Sequence, residues 1–337
     1  MVLRVSRWRW WTGIVVAVVG LAVLGCSGEM GDGGASDEAV DEDEDDDEDD
    51  DEDDEVPDGV EVEKSGRWVA EKGAFTFELP VDDRTVLVHV PRKDKRKALP
   101  LVLAFHSKRG PDDAKRMVPY FDGDAEDDVV FAFPNLAPGG RSWTDDDLDF
   151  IDDLIDELDD KVGIDRDRVY ATGFASGAGF VWELACTKAD TFAGFAPVEQ
   201  AMAKDLKPRC KPRKAYKPFI YIQGDADEKA PWDGGKGMLS VDDTMAFWLE
   251  HDGCSKQPRR VETQKDADKR DHALPVLFRY ENCEHVPALH LLKIHGGVHA
   301  WPTTTSAGRV AEGRTKDLDA VEVMLDFWKE YAGLDGK

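Results

Sequence analysis

Basic residues, histidine and cysteine are all scarce in this chain of 337 residues: 43 Lys and Arg stand against 71 Asp and Glu, with eight His and five Cys. A net charge of −28 argues against a surface built to hold phosphate backbones, so nucleic acid is not an expected partner. There is no C-x-x-C pair and no His cluster at ligand spacing, so neither a metal site nor a cofactor is expected. No internal repeat is visible, which argues against solenoids and propellers. Long apolar runs are missing as well. Only Gly13 to Leu24 is nearly unbroken, and it is too short for a comfortable membrane span.

That short run follows Arg4, Arg7 and Arg9 and leads into Val23-Leu24-Gly25-Cys26, the layout of an export signal. Val-Leu-Gly-Cys resembles a bacterial lipobox. The resemblance implies that residues 1–26 form a lipoprotein signal and that Cys26 becomes the lipid-modified first residue of an exported chain, its anchor to a membrane. Residues 27–63 lack apolar periodicity and contain 15 consecutive acidic residues, Asp41 to Glu55. Self-repulsion keeps such a run extended and solvated, so it reads as a tether; nothing in it fixes a calcium geometry. Without Cys26 an even number of cysteines remains: Cys186, Cys210, Cys254 and Cys283. In an exported chain this points to two disulfides. Three pairings are open, and proximity in sequence favours Cys186 with Cys210 and Cys254 with Cys283.

Residues 64–337 read as one domain. Ala74 to Leu79 and Thr85 to Val90 alternate like antiparallel strands. Pro100 to Phe105, Val129 to Phe133, Val169 to Thr172, Phe192 to Val198 and Pro218 to Gln223 are continuous apolar runs, as strands buried on both faces require. Val276 to Tyr280 and Leu289 to Ile294 follow as late strands. Between them, Leu148, Ile151, Leu154, Ile155, Leu158 and Val162 draw one helical stripe, and helices are also expected over Val241 to His251 and around Leu318 to Trp328. Strands alternating with helices predict an α/β fold with a mostly parallel central sheet and helices on both faces.

The chain is organised around Arg168-Val-Tyr-Ala-Thr-Gly-Phe-Ala-Ser-Gly-Ala-Gly-Phe180, which reads as strand, sharp turn and helix. In α/β-hydrolases that junction is the nucleophile elbow, Gly-x-Ser-x-Gly, whose small flanking residues let strand and helix approach around a strained central residue. Gly173 and Gly177 fill the flanking positions, so the centre is Ala175, a methyl group where the reaction needs a hydroxyl. Ser176 is adjacent, but a register centred on it puts Phe174 and Ala178 at the crowded positions. Ligands of open α/β sheets bind beyond the carboxyl ends of the strands. His106-Ser107, Ala175, Asp227 and His299 all follow strands, and elbow, acid and His come in α/β-hydrolase order. His299 is the expected base and Asp227 its orienting acid. Trp143, Trp232 and Trp301 lie near the same edge, where they could stack on a sugar or aryl ring.

From about Arg84 to Tyr331 the chain resembles the secreted esterases that include polyhydroxybutyrate depolymerases and feruloyl esterases. The likeness rests on Arg141-Ser142-Trp143, Asp146 to Ile151, Arg168 to Gly173, Leu184-Ala185-Cys186, Phe192-Ala193, Gly224 to Asp227 with Pro231 and Gly234-Gly235, Trp248 to Cys254, and Gly297-Val298-His299-Ala300-Trp301-Pro302. It implies an α/β-hydrolase fold, Asp227 and His299 as triad acid and base, and two family disulfides among the four cysteines. It also marks two departures: Ala175 replaces the family serine, and His106-Ser107 replaces a His-Gly oxyanion turn. Ser176 could still offer its backbone N–H to an oxyanion.

The expectation is an esterase-like domain that binds a small or polymeric ester, or a glycan-linked ligand, and is impaired in cleavage. The alternatives are a working carboxylic ester hydrolase that uses Ser176 or an activated water, and a non-catalytic surface scaffold. Nothing in the sequence sets an oligomeric state.

Overall fold

A computed structural model describes residues 75–91, 98–107, 114–121, 129–210, 216–235, 237–304 and 313–336. The expected signal segment, Cys26, the acidic tether and the basic turn at 92–97 lie outside the described residues.

Among the described residues ten strands form one sheet, numbered in chain order and arranged β1-β2-β4-β3-β5-β6-β7-β10-β9-β8. The six inner strands are parallel: β4 (Val130–Pro134), β3 (Leu99–Phe105), β5 (Ile164–Phe174), β6 (Gly194–Val198), β7 (Phe219–Gly224) and β10 (Ala288–His295). Antiparallel strands extend both flanks, β1 (Phe75–Val81) with β2 (Arg84–Val90) on one side and β9 (Leu274–Glu281) with β8 (Arg260–Thr263) on the other. The inner strands are apolar throughout because both of their faces are covered. Side chains alternate between two cores: Leu101, Leu103, Phe105, Tyr221 and Leu289 point to one, Val102, Ala104, Tyr170, Ile220 and Leu292 to the other.

The first core is covered by α2 (Leu148–Val162), α3 (Ser176–Thr187) and α4 (Val241–His251), the second by the short α1 (Ala114–Met117) and by α5 (Ala320–Tyr331). In α2, Phe150, Ile151, Leu154, Ile155 and Leu158 are buried, whereas Asp152, Asp153 and Asp156 are exposed. Gly163 ends this helix at φ 76°, a left-handed position that suits a residue without Cβ.

Both disulfides join the nearer partners, Cys186–Cys210 and Cys254–Cys283. Strand β8 is an element that the sequence pattern does not announce. Its Arg-Val-Glu-Thr sequence gives no apolar run, and Val261 is 52% exposed at the sheet edge. The described chain starts at the end of the sheet remote from the β5–α3 turn, because Phe75 pairs with Val90, the last residue of β2. The carboxyl end returns to that same side, where Arg168 donates to the carbonyls of both Ala98 and Leu334.

Candidate active site

Strand β5 runs into α3 through a single residue, Ala175, at φ 50° and ψ −117°. A non-glycine residue there is strained, and the turn holds it by neighbours on both sides. Its N–H donates to the Val198 carbonyl of β6 at 3.0 Å, and its carbonyl accepts from Gly179 N–H at 3.0 Å. The glycines around it are dictated by contact. A Cβ on Gly173 would lie 2.5 Å from the Gly177 backbone, and one on Gly177 would lie 2.1 Å from the Phe105 carbonyl oxygen. Two backbones and a strained corner thus pack with no room for side chains at either flank.

Asp227 and His299 meet across the ends of β7 and β10. His299 Nδ1 lies 2.7 Å from Asp227 Oδ2, with the Asp227 side chain fully buried and that of His299 15% exposed. Asp227 Oδ1 accepts from the N–H groups of Lys229 and Ala230, each at 2.8 Å. Burial pushes the Asp227 carboxyl up, but the hydrogen bonds from His299 and Ala230 outweigh it and hold the group below the usual carboxylate value. The two elements approach through another glycine contact, since a Cβ on Gly224 would meet the Gly297 carbonyl at 2.3 Å. The His299 ring packs on Phe174 with centroids 4.9 Å apart, which brings the imidazole beside the elbow. The imidazole–carboxylate pair thus lies beside the strained strand–helix corner.

No protein-family model matches the chain. Feruloyl esterase B of Piromyces equi is 27% identical over 232 residues, covering 60% of this chain and 40% of that protein. NocK of Nocardia uniformis subsp. tsuyamanensis, provisionally named an esterase, is 26% identical over 315 residues, covering 80% of this chain and 88% of its own. The chain therefore spans well under half of the first relative and most of the second. An acylaminoacyl peptidase structure, solved with a chloromethyl ketone, superposes with a TM-score of 0.51 at 9% identity, covering 77% of this chain and 42% of that one. The fold is that of the α/β-hydrolases. Its relatives in sequence carry esterase names.

The remaining sequence candidates fall in different places. Ser176 opens α3, and its Oγ is buried without a hydrogen-bond partner, so it makes no bond to His299. As the first residue of the helix it keeps a backbone N–H without an intrahelical acceptor. His106 is 2% exposed, its Nδ1 lying 2.6 Å from the Ser107 carbonyl, while Ser107 is half-buried. Trp143 and Trp301 were expected at a ligand-facing rim, but they lie in the cores at 7% and 2% exposure. Trp143 stacks on Phe180 and donates Nε1–H to the His106 carbonyl at 2.9 Å, pinning the β3 loop against the elbow. Trp301 packs on Phe121 and Phe174. Of the three, Trp232 alone is partly exposed, and Lys293 Nζ sits 4.2 Å from its ring centroid while pairing with Asp225.

Two residues beside the acid were not foreseen. Glu199 follows β6 at φ 56° and is fully buried; Gln223 ends the apolar run of β7. Gln223 Nε2 lies 3.0 Å from Glu199 Oε2 and 3.2 Å from Asp227 Oδ2, and its Oε1 accepts from Tyr221 O–H at 2.9 Å. Glu199, Asp227 and His299 have ligand-capable atoms within 4.8 Å of one another, a spacing that could hold a metal ion. The Gln223 amide nitrogen donates to both carboxyls, which disfavours a cation between them. The only sequence signal was the polar pair Glu199-Gln200 ending an apolar strand.

Proposed function

We propose that this protein is an exported, Cys26-anchored α/β-hydrolase domain of the feruloyl esterase and polyhydroxybutyrate depolymerase type that binds an ester or glycan-linked ligand and is impaired in cleaving it. The observation that carries the proposal is Ala175 at φ 50°, ψ −117°. An unfavourable backbone of this kind is kept at a position where an attacking group is displayed, and here the displayed group is a methyl. Loss of the serine in a well-studied serine hydrolase costs on the order of 10⁶ in kcat. Ser176 is a poor substitute, because its Oγ is buried without partner and unbonded to the base. The esterase names of the relatives support the ligand class.

The test treats the full chain with short-chain and aryl p-nitrophenyl esters and with a fluorophosphonate probe. The wild-type protein is expected to show no turnover above background and no label. Ala175→Ser is expected to gain both, with a rise of at least about 10³-fold from the retained acid and base. Stoichiometric labelling of the wild type at Ser176 would overturn the proposal. Silence in a folded Ala175→Ser protein would instead favour a scaffold.

A further inference from the structure

The acid of the site does not stand alone. Glu199 leaves β6 with positive φ, a conformation uncommon for a residue with a side chain, and thereby turns its carboxyl inward to the end of β7. There Gly224 N–H donates to both of its oxygens at 3.1 Å and Gln223 Nε2 reaches Oε2 at 3.0 Å. The same amide reaches Asp227 Oδ2 at 3.2 Å. Glu199 is 0% and Asp227 3% exposed, and among the described residues no Lys or Arg pairs with either. The groups facing them are the Gln223 amide, the Tyr221 hydroxyl behind it and the His299 imidazole. Two carboxylates so close, with no Lys or Arg beside them among the described residues, cannot both keep a negative charge away from water.

We propose that Glu199 is a positioning residue for the Asp227–His299 pair: it keeps a proton and donates it in a hydrogen bond to Asp227, so that the two acids carry one negative charge and Asp227 holds its oxygen against the imidazole. The assignment of the proton follows the surroundings. Asp227 receives two backbone N–H groups and the imidazole, all of which favour its ionised form. Glu199 receives fewer donors in a drier place. Burial first, and then the Asp227 charge, push its carboxyl well above the usual value, while the same surroundings leave Asp227 below it. A neutral acid in this position can donate to a carboxylate, which an ionised one cannot. The inference rests on Asp227 and His299 being the acid and base of the site. Its readouts are on the acids and the imidazole, so it can fail while the Ala175→Ser experiment succeeds, and the reverse.

The experiment compares the full-length wild type with Glu199→Gln and Glu199→Ala at pH 7. The infrared difference between wild type and Glu199→Gln is expected to show the loss of a protonated carboxylic acid. In proton NMR, the His299 Nδ1–H signal is expected to exchange with solvent within about twofold of wild type in Glu199→Gln, whose amide can donate in place of the acid. In Glu199→Ala it is expected to exchange about tenfold faster or more, since a hydrogen bond to a charged group has been removed. Loss of a carboxylate rather than an acid in the infrared difference would overturn the proposal. So would equal Nδ1–H exchange in all three proteins. Should Glu199→Ala fail to fold, the infrared difference of Glu199→Gln still decides on the proton, and Glu199→Met, similar in volume and without a donor, replaces Glu199→Ala in the exchange measurement.

Discussion

At the scale of single residues, the buried polar groups of this protein divide into those with a reason at the site and those that burden the fold. His290 belongs to the second kind. It lies in β10 at 2% exposure, between the rings of Phe327 and Tyr331, with Nε2 unpartnered. Burial, helped by the Arg279 charge, pushes its pKa down to about 3. The unfolded chain takes up a proton near the ordinary value of about 6.5, so the folded state loses stability as pH falls from there toward 3 and is unaffected above it. His290→Leu is expected to remove this dependence. Urea unfolding at pH 7 and pH 5 should show the wild type losing about 2 kcal/mol more than the variant on acidification. Asp227 and His299 were legible in the sequence because each follows a strand in the order the chemistry needs. Glu199 and Gln223 were not, since one polar residue closing an apolar run looks like an ordinary strand end.

At the scale of elements, the β5–α3 corner decides what the site can be. Its glycines were readable from spacing alone, because a helix can pack that closely on its strand only where side chains are missing. The structure adds what each glycine avoids, the backbone of Phe105 in the case of Gly177. Gly177→Ala must push α3 away from β3, and an overpacked site of this kind costs at least about 1–3 kcal/mol. Chemical unfolding of Gly177→Ala is expected to show that loss or more, and no rearrangement of a flexible side chain can relieve it. Aromatic residues were less readable than glycines. Trp143 and Trp301 sit near the strand ends in sequence, but a large ring gains more from full burial than from display, and both rings turn into the cores. Strand β8 escaped notice for the opposite reason, as an exposed, charged edge strand has no periodic pattern to show.

At the scale of the whole molecule, a chain of net charge −28 keeps its folded part together with two large cores and two disulfides. The cross-links close segments of 24 and 29 residues, lengths at which each is worth about 3.5 kcal/mol by chain entropy. The proposed anchor acts at this scale as well. The full chain produced in a bacterial host is expected to partition into the detergent phase, and Cys26→Ala to move it to the aqueous phase; equal partition of the two would remove the lipid from the proposal. Both ends of the described chain leave from the side of the sheet that faces away from Ala175. Attached at either end of its described residues, the domain would present the Ala175 edge of its sheet to the side opposite the attachment.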